Sequence, residues 1–236
     1  MKNIALCAMI VAALMIAGCA SAPADSTRTT DFHKKLGIAY MNEGKNQLAF
    51  VEFQKAMNID AADAETLYYL GLVYLSFEDS DNAISSFRRA VSAQANYSEA
   101  YNSLGVAYLK AGKYAEAVSA LKNAVTNPLY KTPEFALYNL GRAYYRMGKL
   151  DEAQTAFKTA LRRNPDHITP YQGIALAYNR AGLFSDAARA LERAMELDPA
   201  IQGDREKLVE LLLQRILTAH GDEEQDMRDL LEILKY

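Results

Sequence analysis

Apolar positions in this chain fall at helical spacing, in paired stripes separated by a short polar turn, and the pairs repeat. The clearest pair is EFALYNLGRAYYRMGKLDEAQTAFKTALRRNPDH, residues 134–167. Leu140, Gly141 and Tyr144 share one face of a first helix, and Ala153, Phe157 and Ala160 share one face of a second. Gly148 interrupts between them and Pro165 ends the unit. The residue types carry a packing argument. Gly141 and Ala153 let two helices approach closely, while Tyr144 and Phe157 fill the space beside the contact. The frame recurs at Leu36-Gly37, Tyr40, Ala49, Phe53 and Ala56, and again at Leu70-Gly71, Tyr74, Ala83, Phe87 and Ala90. A further copy has Leu104-Gly105, Tyr108, Ala117, Leu121 and Ala124, and the last has Ile174-Ala175, Tyr178, Ala187, Leu191, Ala194 and Pro199. Five helical hairpins are predicted, most of them 34 residues apart.

The turns and edges of the hairpins add detail. Gly44, Gly112 and Gly148 sit where a positive φ suits an inter-helix turn, whereas the second hairpin has Glu78-Asp79-Ser80-Asp81 there. Asp31 is the expected N-cap of the first helix. From Gly105 to Gly141 the spacing lengthens to 36, and the extra residues lie in Asn127-Pro128-Leu129-Tyr130-Lys131-Thr132-Pro133. Two prolines disfavour helix there, so a loop at one edge of the array is expected, either a tolerated insertion or a partner contact. Beyond Pro199 the pattern degrades. Asp204 to Ala219 reads as a helix with Leu208, Leu211, Leu212 and Ile216 on its apolar side. Gly221 breaks it. Asp222, with Gln225 as its capping-box partner, is expected to start a last helix striped by Met227, Leu230, Leu231 and Leu234. The acidic run Asp222-Glu223-Glu224 reads as favourable first-turn charge.

The order of small, aromatic and breaker residues resembles the tetratricopeptide repeat. The resemblance implies an all-α fold, a right-handed α-solenoid of tetratricopeptide helical hairpins. Five repeats would span residues 30–201, and a degenerate sixth hairpin of capping helices would span 202–236. In such an array the first helices line a concave groove, and residues offset from the motif positions face it. These are Lys34, Ile38 and Met41, then Tyr68, Leu72 and Leu75, then Asn102, Val106 and Leu109. Tyr138, Arg142 and Tyr145 follow, and Gln172, Leu176 and Asn179 complete the row. The row is apolar over its first three repeats and mixes Tyr with Arg in its fourth, which are signatures of a protein interface. An extended or helical peptide segment is the expected ligand.

Composition narrows the chemistry. The chain carries 26 basic and 29 acidic residues without a Lys/Arg block, so no nucleic-acid partner is expected. The only cysteines are Cys7 and Cys19, so the repeats have no disulfide and no thiol chemistry. His33, His167 and His220 lack ligand spacing, and no metal is expected. No nucleophile set, paired carboxylates or phosphate loop stands out. The reading is therefore not an enzyme, with no cofactor and no small-molecule substrate.

The N-terminus changes the picture. Lys2 precedes an apolar run, Ile4 to Ala17, of the length of a signal-peptide core and short for a membrane span. It ends in Ile16-Ala17-Gly18-Cys19, which resembles the bacterial lipobox, with Ile16 where Leu is usual. That resemblance implies a signal peptide over 1–18 and lipidation of Cys19. Ala20 in place of Asp implies the outer membrane, with the body facing the periplasm and the lipid as its sole membrane contact. Residues 19–29 read as the lipidated cysteine and a flexible tether, spanning at most roughly 35–40 Å.

Taken together, a lipobox, a short tether, five repeats and the Tyr/Pro-containing excursion at 127–133 before Asn139-Leu140-Gly141 resemble the type IV pilus biogenesis lipoproteins called pilotins. The resemblance implies a role in localising and assembling a secretin, a ring-forming channel, with the secretin subunit as protein partner. A general periplasmic adaptor, for example one recruiting peptidoglycan enzymes, is the alternative reading.

Overall fold

Each hairpin closes on a contact between residues sixteen apart in sequence, a small residue of the first helix against a large one of the second. A Cβ added at Gly37, Gly71 or Gly141 would stand 2.6, 2.6 or 2.5 Å from the ring of Phe53, Phe87 or Phe157 respectively, and one at Gly105 would stand 2.4 Å from Leu121. Phe157 is held from both sides, because Gly173 of the next hairpin approaches the same ring. The computed structural model describes residues 23–236, and all regular structure among them is helical. The expected signal peptide and the expected lipidation site Cys19 lie outside the described residues.

Hairpin one pairs α1 (Pro23–Asn42) with α2 (Asn46–Ile59), and hairpin two pairs α3 (Ala64–Ser76) with α4 (Ser80–Ala93). Hairpin three is α5 (Ser98–Lys110) with α6 (Tyr114–Thr126), and hairpin four is α7 (Pro133–Arg146) with α8 (Leu150–Arg163). Hairpin five is α9 (Ile168–Arg180) with α10 (Phe184–Leu197), followed by α11 (Arg205–Ile216) and α12 (Asp222–Ile233). Successive first helices touch one another, whereas no two second helices come into comparable contact. The array therefore curves with its first helices on the inside, an all-α solenoid of helical hairpins. Its core is divided into four clusters strung along the array, each shared by neighbouring hairpins.

Four local features differ from expectation. First, α1 begins at Pro23, so residues 23–29, read as tether, are helical and Asp31 lies inside the helix rather than at its cap. Proline suits the first turn of a helix. Thr30, which follows this added stretch, is buried and donates its hydroxyl to the Ser26 carbonyl within it at 3.0 Å. Second, Glu78 adopts the positive φ, 61°, that Gly44, Gly112 and Gly148 supply in the neighbouring turns. Third, Asp222 is the first residue of α12 and not its cap. Gly221, at φ 58°, precedes it, and the Gln225 amide donates to Asp229. Fourth, α11 and α12 do not stack as a sixth hairpin. They pack on each other, but it is α12 that lies against α9 and α10. Among the described residues no helix is long and apolar enough to cross a membrane.

Candidate functional site

The inner face is built by one side of each first helix. On α3 and α5, Tyr68, Leu72, Leu75, Asn102, Val106 and Leu109 are all half-buried. Tyr68 is the anchor of this stretch. Its ring lies 5.1 Å from Tyr97, 5.2 Å from Tyr69 and 6.0 Å from Phe87. Burial pushes the Tyr68 phenol up despite a hydrogen bond with Ser103, so it stays a neutral hydroxyl. The Asn139 amide of α7 is buried and donates to the Asn102 carbonyl oxygen at 3.1 Å, which ties the inner helices of repeats three and four together. Ile38 and Met41 pack into the first core cluster while remaining half-buried.

Three residues expected in the groove are packed away. Lys34 is 8% exposed. Its ammonium lies 3.0 Å from Glu65, 3.1 Å from Asp31 and 3.3 Å from Asp63, a set of partners that offsets its burial and leaves it charged. Tyr145 is 6% exposed and belongs to the fifth-repeat core, its ring flanked by the guanidinium groups of Arg146 and Arg180 at 5.3 and 5.4 Å. Burial pushes its phenol up to about 12. Leu176 is buried in the same cluster. The reason is shared by the last two: α12 covers what the repeat pattern leaves open.

At the fourth and fifth repeats the inner face is a lined cleft rather than an open groove. Tyr138 packs on Phe157 and His167 at 5.9 and 6.0 Å, and the Arg142 guanidinium stands 5.8 Å from its ring centre. Gln172 and Leu176 share a small cavity of about 80 Å³ with Asp226, Met227 and Leu230 of α12. A larger cleft of about 640 Å³ opens between Val106, Leu109, Arg142 and the start of α12. The side-chain oxygen of half-buried Asn179 is itself shielded and finds no hydrogen-bond partner.

The sequence reading missed the groups that hold this arrangement. Arg146, at the end of α7, donates Nη1 to Asp226 Oδ1 at 2.9 Å and Nη2 to Asp226 Oδ2, while its Nε lies 3.1 Å from Asp222 Oδ2. Tyr114 donates its hydroxyl to the same Asp222 oxygen at 2.8 Å. Burial pushes the Asp226 carboxyl above its ordinary range, with Arg146 pulling the other way. One signal was present: Arg142 and Arg146 stand four residues apart on α7, and Asp222 and Asp226 stand four apart on α12.

The loop at 127–132 is anchored. Tyr130 is buried in the third cluster and its backbone N–H donates to the Asn127 carbonyl at 3.1 Å, while Leu129 at the tip is 84% exposed.

Two family profiles described as tetratricopeptide repeat match residues 68–130 and 134–200, meeting at this loop. No curated protein sequence gave a match. Among solved structures the chain is similar to MamA, at 30% identity and a TM-score of 0.63, over 68% of this chain and 93% of that one. It is similar in fold to PilF of Pseudomonas aeruginosa, at 22% identity and a TM-score of 0.65, over 86% of this chain and 98% of that one. PilW, described as a widely conserved type IV pilus biogenesis factor, gives 21% identity and a TM-score of 0.66 over 83% and 96%.

Proposed function

The chain belongs to the tetratricopeptide-repeat proteins, and from that premise we propose that it is a protein-binding lipoprotein, anchored in the outer membrane through Cys19, that assists assembly of a type IV pilus secretin. One observation carries the binding role. The inner face of repeats two and three presents Leu72, Leu75, Val106 and Leu109 half-exposed beside Tyr68 and Asn102, a row suited to a peptide segment. The pilus assignment draws on the 127–133 excursion and on a fold shared with PilF and PilW over nearly their whole lengths. Buried Tyr130 gives that excursion a fixed shape, with Leu129 as a free tip. The anchor and the periplasmic location rest on Ile16 to Cys19 alone.

Crosslinking in native cells, with the lipidated chain as bait and the captured proteins identified, tests the assignment. Recovery of a secretin through its periplasmic part is expected, and deletion of the protein is expected to leave the secretin monomeric or misplaced. Recovery of cell-wall enzymes with unchanged secretin multimers would overturn it in favour of a general adaptor. Replacing Cys19 with Ala is expected to abolish labelling by radioactive palmitate.

A further inference from the structure

We propose that α12 is an intramolecular stand-in for a partner, and that the inner face of repeats three to five binds an acidic amphipathic helix that displaces it. The proposal rests on reading the inner face as a protein-binding surface, and it does not depend on which protein is bound.

The path of α12 is that of a ligand rather than a repeat. It starts beside Tyr114 of repeat three and crosses Arg146 of repeat four, and just past its end the Tyr236 ring stacks 4.6 Å from Phe184 of repeat five. It thus runs along the array, across helices that otherwise lie side by side. Its contacts divide into two kinds. Asp222 and Asp226 supply carboxylates one helical turn apart to a single guanidinium. Met227, Leu230, Leu231, Ile233 and Leu234 then pack in the cluster that holds Tyr138 and Tyr145. An incoming helix with two carboxylates four residues apart, followed by apolar residues one, four, five, seven and eight positions after the second, would make the same set.

Charge favours that class of ligand. Arg142 faces the same cleft and makes no ion pair among the described residues, and Lys110 lines it as well. Arg142 already acts on Asp226 from beyond contact distance, so the surface presents Arg146, Arg142 and Lys110 together to a carboxylate-bearing helix.

The attachment of α12 is suited to release. Its link to the repeats is α11, which buries only Leu208 and Leu212 and leaves Leu213 53% exposed, with Leu217 just past its end 83% exposed. No contact of α11 with α10 matches those between neighbouring repeat helices. Lifting α12 and α11 away breaks no hairpin contact within repeats one to five.

The test uses the full chain and a fluorescein-labelled synthetic peptide of residues 219–236. Anisotropy titration is expected to show weak binding to the natural chain and binding at least tenfold tighter to a variant with Asp222→Asn and Asp226→Asn. Adding Arg146→Glu to that variant is expected to abolish the gain. Equal binding to both chains, binding that survives Arg146→Glu, or no binding to any of them would overturn the proposal. Hydrogen exchange on the natural chain provides a second readout independent of any variant's folding. Saturating unlabelled peptide is expected to speed exchange across 222–233 while residues 64–126 stay unchanged, and unchanged exchange in α12 overturns displacement. A positive result here together with no secretin in the crosslinking would retain the binding surface and remove the pilus assignment.

Discussion

The guanidinium of Arg146 takes both carboxylate oxygens of Asp226, 80 residues further along the chain, and neither side chain is more than one-fifth exposed. A forked pair of this kind is strong when complete and costly when broken, because the remaining charge stays in a poorly solvated place. Asp226→Ala would leave Arg146 with only Asp222, whose side chain is mostly exposed. The expected cost lies at the lower end of the about 3–5 kcal/mol typical when one partner of a buried pair is removed. It should be local: amide exchange in α12 rises by at least about tenfold, and exchange in α3 and α5 is unaffected. Equal acceleration throughout would show that the pair supports the whole array.

Tyr145 and Val106 were indistinguishable as groove positions in sequence, and the structure separates them. Tyr145 is buried among Phe157, Ile174 and Leu230, so Tyr145→Ala opens a cavity and is expected to cost about 3 kcal/mol or more. The visible sign is an earlier thermal transition with partial loss of helical signal. Val106 is half-exposed and sits outside the buried clusters, on the wall of the 640 Å³ cleft. Val106→Glu should leave the melting temperature within a few degrees and abolish partner capture. Capture that survives Val106→Glu would move the contact surface away from repeat three.

The hairpins were legible because their contacts are local and periodic. Gly141 meets Phe157 within one repeat, and the same pair recurs as Gly37 with Phe53 and Gly71 with Phe87. Any stretch of 34 residues therefore contains its own packing instructions. The course of α12 was not legible for the converse reason. Asp222 reaches Tyr114 over 108 residues, once, with no period to announce it. The same segment turned Tyr145 and Leu176 from groove positions into core, since offset from the repeat motif predicts which way a side chain points but not what later covers it. The helical character of residues 23–29 was hidden by composition: small polar residues suit a tether and a helix's first turns alike.

The turn of the second repeat stores a removable strain. Glu78 holds φ 61° where the equivalent turns hold glycine at 69° to 77°. A left-handed conformation costs a residue with a Cβ roughly 1–2 kcal/mol, and glycine's greater unfolded-state freedom offsets about half of that. Glu78→Gly is therefore expected to raise the melting temperature by about 1–3 °C. The reverse substitution, Gly112→Glu at φ 69°, should lower it. A decrease with Glu78→Gly would mean that the glutamate side chain contributes more than its backbone costs.

His167 makes the fourth-to-fifth repeat boundary sensitive to acid. Its Nδ1 is buried without a hydrogen-bond partner, its Nε2 lies 3.1 Å from the Thr169 hydroxyl, and the Phe135 and Tyr138 rings stand 5.0 and 6.0 Å away. Burial among these groups lowers its pKa below the ordinary 6.5, while Glu134 is the one nearby charge acting in the opposite sense. In the window between the ordinary and the lowered value the unfolded chain binds more protons than the folded one. Stability is therefore fully present above about 6.5 and falls as the pH drops through the lowered value. The carboxylates that the fold holds low, Glu52, Asp63 and Asp79, lose their contribution only under stronger acid, nearer the ordinary carboxylate range of about 4. Chemical denaturation at pH 7.5 and pH 5 separates the two effects. The natural chain is expected to lose more stability between those values than His167→Gln does, and the extra loss should appear as earlier unfolding of α7 and α9 by hydrogen exchange. Parallel pH profiles for the two chains would place the acid sensitivity elsewhere.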